Sequence, residues 1–117
     1  MNERDPAYLW DIVEAAKEIV RFLAGKRLDD LTSDRVLQLA VERELEVIGE
    51  AAARLSKEFR DAHPEVPWSR IIAQRNVIAH QYGEIQIDRI WLVATERVPE
   101  LIALLEPLIP QLPDGEE

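Results

Sequence analysis

Apolar side chains recur at steps of three and four along the first part of the chain: Leu9, Ile12, Val13, Ala16, Ile19, Val20 and Leu23. That spacing lines one face of an α-helix, whereas a half-buried strand would alternate every second residue. Asp5 can accept the free amide hydrogens of the first turn, and Pro6 suits the first helical position. Gly25 can take the left-handed conformation that ends a helix, so the first predicted helix covers residues 6–24. The polar stretch KRLDDLT reads as a connection. Thr32 or Ser33 can cap a second helix with apolar positions at Val36, Leu37, Ala40, Val41, Leu45, Ile48, Ala52 and Leu55, ending near Lys57–Arg60. Its other side sets Glu42, Glu44, Glu46 and Glu50 against Arg43 and Arg54, the pattern of a solvated face with i,i+4 support.

Two prolines three residues apart in DAHPEVPW disfavour helical geometry before each of them and predict a rigid loop. Pro67 then opens a third helix through WSRIIAQRNVIAHQY that stops at Gly83, with Ile71, Ile72, Ile78 and Ala79 turned to the core. A fourth starts near Ile87 and keeps helical spacing through Ile90, Trp91, Val98, Leu101, Ile102, Leu105 and Leu108. Pro99 should bend it by removing one backbone hydrogen bond, and Pro107, Pro110 and Pro113 dismantle its end. Without strand-like alternation or an internal repeat, the expected fold is all-α, an antiparallel helical bundle of four to five helices. Residues 1–112 form the single domain and 113–117 a flexible tail.

A chain of 117 residues has room for one core, which sets aside a two-domain enzyme. The formal net charge is −9, so nucleic acid cannot be bound through bulk positive charge, and an anionic substrate must meet a local basic patch. There is no cysteine, which removes disulfides, Cys-bearing zinc sites and thiol nucleophiles, and the 2 histidines leave metal chemistry sparsely provisioned. No cofactor or metal is expected. The charged start MNERDPAYLW lacks the apolar stretch of a secretion signal, and the apolar run near the C-terminus is broken by Glu100, Glu106 and prolines. The expectation is a cytoplasmic protein with no membrane contact.

Charge is unevenly spread. Residues 1–69 and 98–117 each carry a net −5, whereas residues 70–97 carry +1 and hold Arg70, Arg75, Arg89, Arg97 and His80. A polyanion therefore finds its best landing place around the third predicted helix. On that helix Arg75, Asn76, His80 and Tyr82 are polar groups among largely apolar neighbours. Asn76 and His80 share a face at i,i+4, while Arg75 and Tyr82 share another at i,i+7. Arginine offers a permanent, forked set of donors matched to phosphate oxygens, and histidine titrates near neutrality. Cleaving RNA without a metal requires a base for the 2′-hydroxyl, an acid for the leaving oxygen and positive charge at phosphorus. One histidine cannot readily fill both proton roles, but a two-fold dimer joining two such helix edges supplies two histidines and two arginines in one cleft. An arginine and a histidine on one helix of a bundle are also commonly just a surface cation and a hydrogen-bonded imidazole. His63, before Pro64, reads as a solvent-exposed turn residue, and Trp10, Trp68 and Trp91 as core or interface anchors. Glu42, Glu46 and Glu50 lack the Glu-x-x-His companion that a bundle metal site would need.

The string Arg75-Asn76-Val77-Ile78-Ala79-His80-Gln81-Tyr82, entered through HPEVPW and followed by Gly83 and a long helix, resembles the HepT-like toxins of the HEPN superfamily over essentially the whole chain. The resemblance implies a helical homodimer with both motif copies at a shared cleft, and a metal-independent endoribonuclease that cuts RNA. By position, Arg75 would stabilise the phosphate, His80 would transfer protons and Asn76 would orient the pair. It also implies a partner, an MNT-type nucleotidyltransferase antitoxin, that silences the toxin by transferring AMP to Tyr82. A second reading is a non-catalytic, nucleotide-binding or regulatory subunit of a nucleotidyltransferase, with Arg75 gripping a phosphate.

Overall fold

The computed structural model describes residues 2–80 and 87–110, the side chains of 75–80 excepted. Among the described residues the chain is all-α: α1 (Asp5–Leu23), α2 (Leu28–Thr32), α3 (Arg35–Arg54), α4 (Lys57–Ala62), α5 (Trp68–His80), α6 (Ile87–Leu92) and α7 (Val98–Leu105). A π-helical turn, Val93–Arg97, joins α6 to α7, and a 3-10 turn, Glu106–Leu108, follows. No helix among the described residues is long and apolar enough to cross a membrane.

The first predicted helix is present as α1, with Pro6 in its first turn and Gly25 in the left-handed region at φ 74°. Asp5 does a different job from the one expected. It lies inside the helix and is 1% exposed; its Oδ1 accepts the backbone N–H of Ser56 at 2.9 Å and its Oδ2 the Ser56 hydroxyl at 2.7 Å and the Asn2 N–H at 2.8 Å. Burial alone would raise the pKa of this carboxyl, but the donors from Ser56 and Asn2 outweigh it and hold it below its usual value. The start of α1 is thereby tied to the end of α3, so these two helices run antiparallel.

KRLDDLT, expected as a connection, contains α2. The Arg27 N–H donates to Asp30 Oδ2 at 2.7 Å, and the buried Gln38 amide donates to the Leu31 and Thr32 carbonyls at 2.9 and 3.1 Å. A helix this short persists because its free backbone groups at both ends are met by side chains. Thr32 and Ser33 are spent on back-bonds to Leu28 and Asp29, and Asp34 caps α3 through the Leu37 N–H at 3.0 Å. The second predicted helix is in fact two. α3 stops at Arg54, and Ser56 caps α4 by accepting the Phe59 N–H at 3.1 Å.

The core is shared by α1, α2, α3, α5, α7 and the π turn: Leu9, Ile12, Ile19, Leu31, Val41, Leu55, Trp68, Ala94 and Leu105 are buried. Two expected core positions are instead open, Val36 at 77% exposure and Val20 at 41%. The acidic side of α3 is not uniformly solvated either. Arg43–Glu46 at 3.7 Å and Arg54–Glu50 at 3.5 Å are surface pairs as expected, but Glu42 is 5% exposed. Its Oε2 has no hydrogen-bond partner, with the Arg35 guanidinium 4.0 Å away, and burial first, then the charge of Glu46, pushes its carboxyl up against the pull of Arg35.

Pro99 acts on the last helical rod through the turn before it rather than by a simple bend. Proline lacks an N–H for the carbonyl four residues back, at Thr95, and its ring crowds that carbonyl. The chain widens there into the π turn, closed by Val98 N–H to Val93 O, while the Thr95 hydroxyl donates to Trp91 O at 2.7 Å. At the far end Lys17 of α1 meets Glu106 at 2.6 Å; this hydrogen bond raises the lysine pKa.

Candidate functional site

α5 carries the motif, and its start is firmly held. Trp68 is buried, its indole N–H donates to the His63 carbonyl at 3.0 Å, and its ring meets Phe59 edge-on at 6.2 Å. Val66, in the loop before α5, is buried. His63 is not the exposed turn residue expected: only 25% of its side chain is open, its ring lies 4.5 Å from that of Phe59, and its Nδ1 is 3.3 Å from Glu65 Oε2. Of the other tryptophans, Trp91 packs partly buried against the core, while Trp10 is 50% exposed and is no core anchor.

At a rise of about 1.5 Å per residue, Arg75 stands roughly 10 Å and His80 roughly 18 Å along the helix from Trp68. The backbone of Arg75, Asn76 and His80 is helical as expected, which puts Asn76 and His80 about 40° apart around the axis. Their side chains, and those of Ile78 and Ala79, fall outside the described set, as do Tyr82 and the predicted stop at Gly83. Ile71 and Ile72 pack against the core as predicted.

Immediately before the motif, α5 forms one wall of a groove of about 460 Å³ shared with α3, α6, the π turn and α7. Leu45, Ile48, Ile71, Ile90 and Leu101 make an aliphatic floor, and Arg70, Arg89 and Arg97 stand on the rim. Three of the four arginines singled out by charge are thus gathered round one concavity, although they come from three different elements; the side chain of the fourth, Arg75, lies outside the described set. Arg97 is partly engaged by Glu100 at 3.7 Å. Gln74 and Glu100, which also line the groove, were not anticipated; Gln74 sits next to Arg75, but a lone amide on a helix carries no signal of its own. Among the described residues no group of three or more His, Asp or Glu side chains is arranged to hold a metal ion.

An all-α chain with Arg75, Asn76 and His80 on one helix is consistent with a HEPN-type helical protein. The chain belongs to the ribonuclease HepT-like family, whose model matches residues 12–108. It is 35% identical over 108 residues to a Thermococcus cleftensis protein named "Probable ribonuclease HepT", covering 92% of this chain and 98% of that one. Two Methanocaldococcus jannaschii proteins provisionally named as RNases are 33% identical over 102 residues, covering 86% of this chain and 94% of the relative, and 36% identical over 111 residues, covering 95% and 91%. No solved structure gives a significant match.

Proposed function

We propose that this protein is the toxin of a toxin–antitoxin pair, a homodimeric endoribonuclease that cleaves RNA without a metal ion. The observation that carries this reading is membership of the ribonuclease HepT-like family over residues 12–108, joined to Arg75, Asn76 and His80 on the helix that borders the cationic groove. In the reaction the RNA 2′-hydroxyl gives up its proton to one histidine and attacks the adjacent phosphorus. The bond to the 5′-oxygen breaks, and that oxygen takes a proton from the other histidine, leaving a 2′,3′-cyclic phosphate and a 5′-hydroxyl. His80 from each protomer fills one proton role. Arg75 stabilises the charge that builds on the phosphate oxygens, and Asn76 orients the pair. The working unit is cytoplasmic, with one domain over residues 1–112 and a tail at 113–117.

Silencing follows from the same placement. An AMP group transferred to Tyr82 by an MNT-type nucleotidyltransferase antitoxin adds bulk and negative charge two residues from His80, where RNA phosphate has to sit. Purified protein in excess chelator should cut RNA and sediment at twice the 13.4 kDa chain mass. His80→Ala should abolish cutting, and intact mass after co-expression with the nucleotidyltransferase should rise by AMP units mapping to Tyr82. RNA binding without cleavage by the chain expressed alone would select the non-catalytic regulatory subunit instead, whereas cleavage equal in His80→Ala and parent would remove His80 from the mechanism.

A further inference from the structure

We propose that the groove between α3, α5 and the α6–α7 rod seats one nucleotide of single-stranded RNA, its base on the aliphatic floor and its flanking phosphates on Arg70 and Arg89. This rests on the ribonuclease reading above and gives it a substrate subsite outside the motif.

Three features meet here. The volume, about 460 Å³, falls within the ~300–1,000 Å³ of small-ligand sites. The floor of leucine and isoleucine side chains gives the face of a base somewhere to leave water. The rim is cationic in a chain of net charge −9. Arg21, Arg35, Arg43, Arg54 and Arg97 each lie within 4.0 Å of a carboxylate; among the described residues Arg4, Arg27, Arg60, Arg70 and Arg89 do not, and of these five only Arg70 and Arg89 line the groove. Both are exposed, one on the α5 wall and one on the α6 wall. Two guanidiniums left without carboxylates across an apolar floor suit a ligand whose charges flank a flat, poorly hydrated centre, which describes a nucleotide within a strand.

Gln74 adds discrimination. Its half-buried amide lines the groove and can both donate to and accept from a base edge. Roughly 9 Å of helix separates it from His80, so a short run of nucleotides leads from the seat to the motif. Only an unpaired base can enter, because a duplex keeps its bases stacked and its edges engaged.

The test uses the full chain and a 2′-O-methyl single-stranded oligonucleotide, which lacks the attacking hydroxyl, titrated by fluorescence anisotropy at several salt concentrations. The double substitution Arg70→Ala with Arg89→Ala should weaken binding tenfold or more and flatten the salt dependence by about 1.4 log units per decade, for two phosphate contacts on a single strand. A charge-matched control on α3, Arg43→Ala with Arg54→Ala, should bind like the parent. Ala73→Phe fills the exposed groove wall without removing charge. It should weaken the oligonucleotide at least fivefold and leave inorganic polyphosphate binding unchanged. Unchanged affinity in the Arg70/Arg89 variant, or a loss no larger than in the control, overturns the proposal and leaves the groove to an acidic protein partner. Equal effects of Ala73→Phe on both ligands overturn insertion of the base. Cleavage of unmodified RNA by parent and His80→Ala is scored separately, so the seat and the nuclease reading fail independently.

Discussion

Two buried carboxylates respond to pH in opposite directions. Asp5 is held ionised by three donors, so its stabilisation is fully present above its ordinary pKa of 3.8 and is lost as the pH falls through its lowered native value. Asp5→Asn should cost about 1.5–3 kcal/mol at pH 7 in urea unfolding, with the gap to the parent closing below about pH 3.8. Glu42 is the reverse. Its raised pKa means that the charged form opposes folding at neutral pH, and the penalty fades as acidification protonates it toward its ordinary value of 4.5. Glu42→Gln should therefore stabilise by about 1 kcal/mol at pH 7 and by nothing measurable near pH 4.5, since the 4.0 Å contact to the exposed Arg35 contributes little. Neither role was legible in the sequence. Asp5 looked like a cap because spacing sees only its own helix, and its main partner lies 51 residues away. Glu42 looked like its solvated neighbours because burial on α3 depends on what packs over it.

At the level of elements, boundaries were legible where local chemistry sets them and illegible where tertiary contacts do. Gly25 ends α1 as its residue type foretold, and nothing lies within 4 Å of where a Cβ would stand. Gly25→Ala should thus cost about 1–2 kcal/mol from backbone conformation alone, read as a lower unfolding midpoint at unchanged denaturant slope. α2 stayed hidden because five residues make no periodic pattern, and a side chain of the next helix, Gln38, satisfies its last carbonyls. The break between α3 and α4 was missed because the apolar spacing runs on through Leu55 to Phe59. Only Ser56, shared between a cap and Asp5, marks the interruption. The start of the motif helix was readable, since Pro67 and Trp68 fix it chemically; its predicted end at Gly83 lies outside the described residues.

Over the whole molecule, charge is the feature the sequence revealed best. Segment arithmetic singled out Arg70, Arg75, Arg89, Arg97 and His80, and folding brings Arg70, Arg89 and Arg97 to one groove, but only the tertiary arrangement supplies the aliphatic floor between them. The acidic remainder should keep non-specific association weak. Raising salt from 50 to 200 mM should lower affinity for a single strand by about 18-fold if three phosphates are held, two at Arg70 and Arg89 and one at Arg75, a dependence that anisotropy can measure. The π turn has a consequence of its own for chain length. Such a turn carries one surplus residue relative to the flanking α-helices. Excising a single residue between Val93 and Arg97, with Pro99 replaced, leaves Val98, Leu101 and Leu105 in phase with α1. Natural variants one residue shorter at that spot can keep the same inner surface, whereas a deletion anywhere else in the rod would rotate it out of its seat.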